Sequence, residues 1–252
     1  MKFLLLCLRL LPPELAHVIA LNSLQFVYKI KLASRLFPIP QSNSNFIYKN
    51  LTFKNKLGIA AGLDKNGDFI DALGALGFGF IEVGTVTPVP QHGNSKPRIF
   101  RFPAENAIIN RLGFNNKGVD YLVRQVKHRK YSGILGINIG ANKDSLGQQR
   151  IDDYVECFQK VAPYADYITI NISSPNTPNL RALHSKDNFI PLFSALRAAR
   201  ETVHFESPIF IKLSPDESQE IIIDIINAIK EYKFDGIIAS NTTTDHTVLA
   251  GR

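Results

Sequence analysis

Residues 57–65 read LGIAAGLDK, a short apolar stretch that ends in an aspartate and a lysine. The same pattern of an apolar stretch followed by a polar residue recurs five times. The five stretches are residues 80–84, 134–137, 167–170, 208–211 and 236–239. They are rich in isoleucine, valine and alanine, as buried parallel strands are. Repeated strand–helix units with polar residues at the carboxyl ends of the strands predict an α/β protein with a (β/α)8 TIM-barrel fold.

Helical patterns lie between most of these strands. We predict helices at residues 68–76, 117–126, 151–161, 189–203 and 218–229. A doubly wound open sheet is the competing architecture. It is disfavoured because no GxGxxG follows the first strand, and because polar residues recur at every strand end rather than at one switch point.

Composition excludes several functional classes. The 252 residues suit one barrel-sized domain, with 45% hydrophobic and 20% charged residues. The net charge of +7 would suit nucleic acid, anionic lipid or an acidic small molecule. There is no long basic block and no nucleic-acid motif, so we predict no nucleic-acid partner. Cys7 and Cys157 are far apart, and the histidines from His92 onward lack metal-ligand spacing, so no metal site is predicted.

The first forty residues are apolar and flanked by basic residues. Residues 3–11 are too short to span a bilayer, which takes about 20 apolar residues. A second helical pattern starts at Pro13, and Lys29, Lys31 and Arg35 follow it. Such helices predict an element that lies on a membrane surface. A signal peptide and a helical cap on the barrel floor are the alternatives. We therefore predict an N-terminal helical membrane element at residues 1–40 and the barrel at residues 41–252.

Four motifs contain most of the polar residues at the predicted strand ends. They read AAGLDKNG at 60–67, EVGTVTP at 82–88, NRLGFNN at 110–116 and NISSPNTPNLR at 171–181. Small residues at a strand end let backbone amides approach a flat ligand closely. Lys65 supplies a cation, and asparagine side chains offer both donors and acceptors to the edge of a polar ring.

These motifs, with GINIG at 136–140 and SNTT at 240–243, resemble the dihydroorotate dehydrogenase family in its quinone-using, membrane-associated class. The class assignment depends on a serine, Ser174, where class 1 relatives have a cysteine base, and on the N-terminal extension. The resemblance implies oxidation of dihydroorotate to orotate in pyrimidine biosynthesis, with FMN as hydride acceptor and a membrane quinone as final electron acceptor. It implies a peripheral protein on the cytoplasmic face of a bacterial cell membrane. A related FMN barrel acting on other pyrimidines is an alternative.

The resemblance also implies roles for individual positions. The implied flavin contacts are Ala60, Ala61, Gly62, Leu63, Asp64, Thr85, Asn138, Asn171, Lys212 and Ser240. The implied substrate contacts are Lys65, Asn110, Arg111, Leu112, Gly113, Phe114, Asn171, Asn176, Asn241 and Thr242. Ser174 matches the catalytic base, and Lys65 can stabilise the enolate. Because a serine hydroxyl is a poor base, we further predict, apart from the resemblance, a proton relay through water and a neighbouring hydroxyl such as Thr177. His17 and Arg101 match positions near the quinone access.

The sequence departs from the family in two places. Asn179 stands where the family usually has glycine, and asparagine tolerates a positive φ well. The chain stops at Arg252, about two strand–helix units short of a full barrel, and barrels usually bind phosphate after the seventh and eighth strands. We therefore expect an incomplete barrel with apolar edge strands that binds FMN weakly or not at all. The alternative function is a non-catalytic remnant unable to hold FMN.

Overall fold

The computed structural model describes residues 8–36, 45–174, 183 and 185–247. The strands are β1 Phe46–Tyr48, β2 Leu51–Phe53, β3 Gly58–Ile59, β4 Phe80–Val86, β5 Ile99–Phe102, β6 Ala107–Asn110, β7 Ile134–Ile139, β8 Tyr167–Asn171, β9 Ile209–Lys212 and β10 Gly236–Ile238. The α-helices are α1 Pro13–Lys29, α2 Ala33–Leu36, α3 Ile70–Gly74, α4 Val119–Lys127, α5 Gly147–Val161, α6 Lys186–Thr202 and α7 Gln219–Glu231. A short 3₁₀ helix, Ala162–Tyr164, follows α5.

A six-stranded parallel sheet is the centre of the fold. Its order is β3-β4-β7-β8-β9-β10, so each new strand joins the same edge of the sheet. A doubly wound sheet would reverse this order at a switch point. The curled sheet with its helices is the (β/α) barrel arrangement that the sequence predicted. In the described residues it is open, with β3 and β10 at its edges.

The predicted helices are present with shifted ends, the largest shift being at α5, which begins at Gly147 rather than at residue 151. Every residue of β7 and β8 is buried, because helices cover the outer face of the sheet. Apolar strand residues such as Ile81 and Ile168 share one core with Phe158 of α5 and Phe193 of α6. The helix packing therefore holds the strand ends, and the polar residues on them, in place.

Two antiparallel hairpins were not predicted. The hairpin β1–β2 packs Leu51 and Phe53 against Ile134 and Tyr167. The last two residues begin β7 and β8, so this hairpin covers the amino-terminal end of the sheet, which is the barrel floor. The second hairpin, β5–β6, lies between β4 and β7 in the chain.

The alternative interpretation expected helix α1 to cap the barrel floor. The helix lies beside β5 instead. Glu14 near its start pairs with Arg98, whose Nη2 donates to Glu14 Oε1 at 2.6 Å, beside β5. Leu21 of α1 is buried in the main core, whereas Leu15, Val18 and Phe26 are exposed. In the part of the chain that the structure describes, no helix is both long and apolar enough to cross a membrane.

Candidate active site

The carboxyl ends of the strands enclose a cavity of about 320 Å³. The fifteen residues that line it are Ala60, Ala61, Gly62, Lys65, Thr85, Asn110, Leu112, Gly113, Phe114, Asn171, Ser174, Lys212, Ser240, Asn241 and Thr242. Each of these is a residue to which the sequence assigned a site role. The fold therefore brings together, at one end of the sheet, motifs that are far apart in the chain.

Some predicted residues lie outside this cavity. The buried Asp64 accepts hydrogen bonds from the backbone N–H groups of Asp68 and Phe69, at 3.0 and 2.8 Å, and so holds the start of α3. Burial raises the pKa of the Asp64 carboxyl group. The Arg111 guanidinium turns away from the cavity and donates to Pro97 O at 2.9 Å. The side chains of Asp64 and Arg111 therefore do not line the cavity as the motifs implied.

Leu63 and Asn138 also lie outside this cavity. Leu63 borders a second cavity rather than the first. Asn138 lies fully buried behind the wall, where its Oδ1 accepts a hydrogen bond from Thr85 Oγ1 at 2.6 Å. Asn176 lies outside the described residues, as do Thr177 and Asn179.

Glycine is required at two points of the wall. Gly62 has φ +110°, and a Cβ built there would meet nothing within 4 Å, so open space lies above its backbone. Gly84 also has φ +110°, and a Cβ there would lie 2.3 Å from Asn138 O. These glycines allow the strand ends to pack closely while leaving room for a flat ligand over Gly62.

Lys65 is a partly buried cation at the cavity. Burial, helped by the nearby Arg98 guanidinium, lowers the pKa of Lys65 to about 8, although Glu14 and Asp64 partly oppose this shift. Removing an ammonium group even partly from water is costly without an anionic partner, so a carboxylate ligand beside Lys65 would stabilise its charge. The site therefore favours an anionic substrate.

A second cavity of about 500 Å³ adjoins the first and shares Gly62, Lys65, Asn110 and Leu112 with it. Its other lining residues are Pro13, Glu14, His17, Val18, Leu63, Asn66, Ile99, Arg101, Ile108 and Asn115. The two residues that the resemblance placed near the quinone access are thus together in one cavity.

Helix α1 and the hairpin β5–β6 build this second cavity. Arg101 Nη1 donates to Leu11 O at 2.9 Å and so ties the chain before α1 to β5. Burial and the neighbouring Lys65 charge lower the pKa of His17, so a neutral imidazole faces this cavity at neutral pH.

No metal centre is found among the residues that the structure describes: no group of three or more His, Cys, Asp or Glu side chains could hold an ion. Cys157 is buried in the core, and burial raises the pKa of its thiol well above the usual value. Its thiol is therefore not a reactive group.

A parallel barrel with a polar, cationic cavity at the carboxyl ends of its strands belongs to the class of (β/α)-barrel enzymes. The family model described as "Dihydroorotate dehydrogenase" matches residues 45–251. The chain therefore belongs to the dihydroorotate dehydrogenase family.

Relatives with similar sequences and a similar solved structure carry the name of the same family. A protein of Buchnera aphidicola subsp. Schizaphis graminum named dihydroorotate dehydrogenase (quinone) is 51% identical over 94% of this chain and 72% of its own length. A relative of the same name from Stenotrophomonas maltophilia is 50% identical over 96% of this chain and 70% of its length. The crystal structure of a DHODH from Eimeria tenella in complex with ferulenol has a TM-score of 0.81 and 34% identity, covering 93% of this chain and 68% of that one.

Proposed function

We propose that this protein oxidises dihydroorotate to orotate in pyrimidine biosynthesis, with FMN as hydride acceptor and a membrane quinone as final electron acceptor. One observation carries the proposal: a single cavity joins Lys65, Ser174 and the asparagines of separate motifs. Membership of the family and relatives named for this reaction support it.

The cavity wall fits a flavin ring. The backbone at residues 60–62 is bare of large side chains, and the space above Gly62 is open. Thr85, Asn171, Lys212 and Ser240 would provide hydrogen bonds to the polar edge of the ring. When bound, FMN supplies the acceptor for the hydride that leaves C6 of dihydroorotate.

The side chains perform the remaining chemistry. Ser174 Oγ would take the proton from C5 of dihydroorotate, next to a carbonyl group, while its own hydroxyl proton passes to a water molecule. The Lys65 ammonium would stabilise the negative charge that then develops on the carbonyl oxygen. Asn110 and Asn241 would bind the amide and imide edge of the substrate, because each side chain offers a donor and an acceptor.

The second cavity would admit the quinone. It opens beside His17 and Arg101 and shares Lys65 with the substrate cavity. Electrons would therefore travel only a short way from the flavin to the quinone. Helix α1 presents apolar side chains to solvent, including Leu15, Val18 and Phe26, and it is followed by basic residues. Such a surface would bind peripherally to the anionic cytoplasmic leaflet of a bacterial cell membrane.

Two preparations serve for turnover assays, since the chain spans about 70% of the length of the relatives. The first is the chain itself with added FMN. The second is the chain joined to the part of the Buchnera aphidicola relative that it does not match. Formation of orotate from dihydroorotate with a soluble quinone supports the proposal. Its absence from both preparations contradicts the proposal and favours the non-catalytic alternative.

The active preparation is whichever of the two forms orotate. Deleting residues 1–40 should release it from anionic vesicles, because the exposed apolar surface of α1 is lost. The deletion should lower the rate with a membrane quinone more than the rate with a soluble acceptor. Vesicle flotation and the two rates measure this. Ile47→Ser is the matched control, since Ile47 is an exposed apolar residue at the barrel floor. Unchanged flotation and rates after deletion would assign the N-terminus a purely structural role.

A further inference from the structure

A buried carboxylate lies behind the candidate active site and has no part in the proposed chemistry. Glu82 of β4 is 4% exposed and does not line the substrate cavity. Its Oε1 accepts a hydrogen bond from Asn138 Nδ2 at 2.9 Å, and its Oε2 accepts from Tyr167 Oη and Thr169 Oγ1, both at 3.0 Å. Within the described part of the chain, no lysine or arginine forms an ion pair with it. Hydrogen-bond donors therefore stabilise this buried carboxylate.

The carboxylate fixes the orientation of the Asn138 amide. An ionised carboxylate can only accept hydrogen bonds, so the Asn138 side chain must turn its NH₂ group toward Glu82. Its Oδ1 then points the other way and accepts from Thr85 Oγ1 at 2.6 Å. The single hydroxyl hydrogen of Thr85 is thus committed to Asn138.

The same order of hydrogen-bond donors and acceptors continues into the cavity wall. Because its hydrogen is committed, Thr85 Oγ1 can only accept from Asn171, whose Nδ2 lies at 2.9 Å. Asn171 Oδ1 accepts from the Ser173 backbone N–H at 3.2 Å and from Ser173 Oγ at 3.1 Å. Ser173 Oγ in turn accepts from Asn241 Nδ2 at 3.0 Å. The chain of hydrogen bonds is fixed at both ends, by a group that only accepts and by a backbone N–H that only donates.

We propose that Glu82 is a positioning residue that sets the donor and acceptor pattern of the cavity wall. Thr85 faces the ligand as an acceptor, and Asn171 and Asn241 each have a second amide hydrogen to donate. This pattern suits a heterocyclic ligand whose edge carries both N–H and carbonyl groups. Identification of that ligand as FMN rests on the proposed function.

The test compares four forms of the chain in FMN titrations. Glu82→Met keeps a similar length but removes the acceptor, so Asn138 and Thr85 lose their fixed orientation, and the Kd for FMN should rise about ten-fold or more. Glu82→Gln should stay within about three-fold of wild type, because its Oε1 can accept from Asn138 while its NH₂ donates to the two hydroxyls. Tyr167→Phe is the matched control, since it removes a different hydrogen bond to Glu82 and leaves the one from Asn138.

Thermal unfolding is measured for each form. It shows whether weaker FMN binding comes from a less stable protein or from the lost orientation of the Asn138 side chain. Wild-type affinity in Glu82→Met, or equal weakening in Tyr167→Phe, overturns the proposal. Should Glu82→Met fail to fold, Glu82→Asp, which withdraws the acceptor from Asn138, should weaken binding in the same way. A wild type that binds no FMN contradicts the proposed function instead. In that case the side-chain NH₂ signals of Asn138 in NMR test the positioning role of Glu82. They should exchange slowly in wild type and rapidly in Glu82→Met, and equal exchange overturns the proposal.

Discussion

Replacing Ser174 by alanine should slow orotate formation by about 10²–10⁴-fold, the contribution typical of a positioned acid–base group. Ser174 is buried at the cavity wall, three residues beyond Asn171, where its hydroxyl oxygen can take the substrate proton. The affinity for FMN should stay near that of wild type, because the variant removes one small polar group from a wall of fifteen residues. Initial rates of orotate formation in the active preparation, with FMN titrations alongside, measure both effects.

Two further variants make the Ser174 test specific. Ser174→Cys should keep part of the activity, because a thiol can also transfer the proton. Ser214→Ala is the matched control: Ser214 is also buried, but its Oγ accepts from the Asp216 backbone N–H outside the cavity. A near-normal rate in Ser174→Ala, or an equal loss in Ser214→Ala, would remove Ser174 from the mechanism.

Replacing Lys65 by methionine should lower kcat/KM for dihydroorotate by about 10²–10³-fold, the effect typical of losing one group that stabilises an oxyanion. The methionine keeps the length and the burial of the side chain but not its charge. Lys54→Met, at an exposed position, is the control and should leave the rate unchanged. Equal activity of Lys65→Met and wild type would contradict the assignment.

The Lys65 ammonium should also give ligand binding a pH dependence. With a pKa of about 8 in the ligand-free protein, the cation is present below that pH and is lost as the pH rises through it. The affinity for orotate, an anion, should therefore fall above about pH 8, and bound orotate should itself raise the pKa. Lys65→Met should lack this step. Titrations with orotate from pH 6 to pH 10 test the sign: an affinity that rises with pH would contradict the role.

The alternating strand and helix patterns predicted the barrel, and the resemblance of the strand-end motifs to the family implied the residues of the cavity wall. The strand ends carry small and polar residues in contiguous motifs, and parallel strands necessarily bring their carboxyl ends together. Lys65 and Asn241 could therefore be assigned to one site without coordinates, although 176 positions separate them in the numbering, from 65 to 241.

The directions of individual side chains could not be predicted in this way. Asp64 and Arg111 belong to site motifs, but one side chain holds the start of a helix and the other bonds to Pro97 outside the cavity. The role of Glu82 depends on Asn138 and Tyr167, which come from two other strands 56 and 85 residues away. Such contacts appear only when the register of the strands is known.

The floor hairpin was missed for a different reason. Strands β1 and β2 have three residues each, too few for a clear alternation of polar and apolar residues. Their turn contains Lys49 at φ +53° rather than the Asn-Gly pair that marks a tight hairpin turn. The apolar contacts of Leu51 and Phe53 with the strand starts hold the hairpin, and these contacts are tertiary.

Binding of FMN in the cavity at the carboxyl ends of the strands can be measured by fluorescence titration. The chain contains no tryptophan, so no indole ring contributes to the quenching of flavin emission. Wild type should quench FMN fluorescence to saturation at one FMN per chain. Ala61→Phe should abolish the quenching by filling the cavity, whereas Ala104→Phe, at an exposed position, should not. Absence of saturable quenching in wild type, or saturable quenching that survives in Ala61→Phe, would contradict the account.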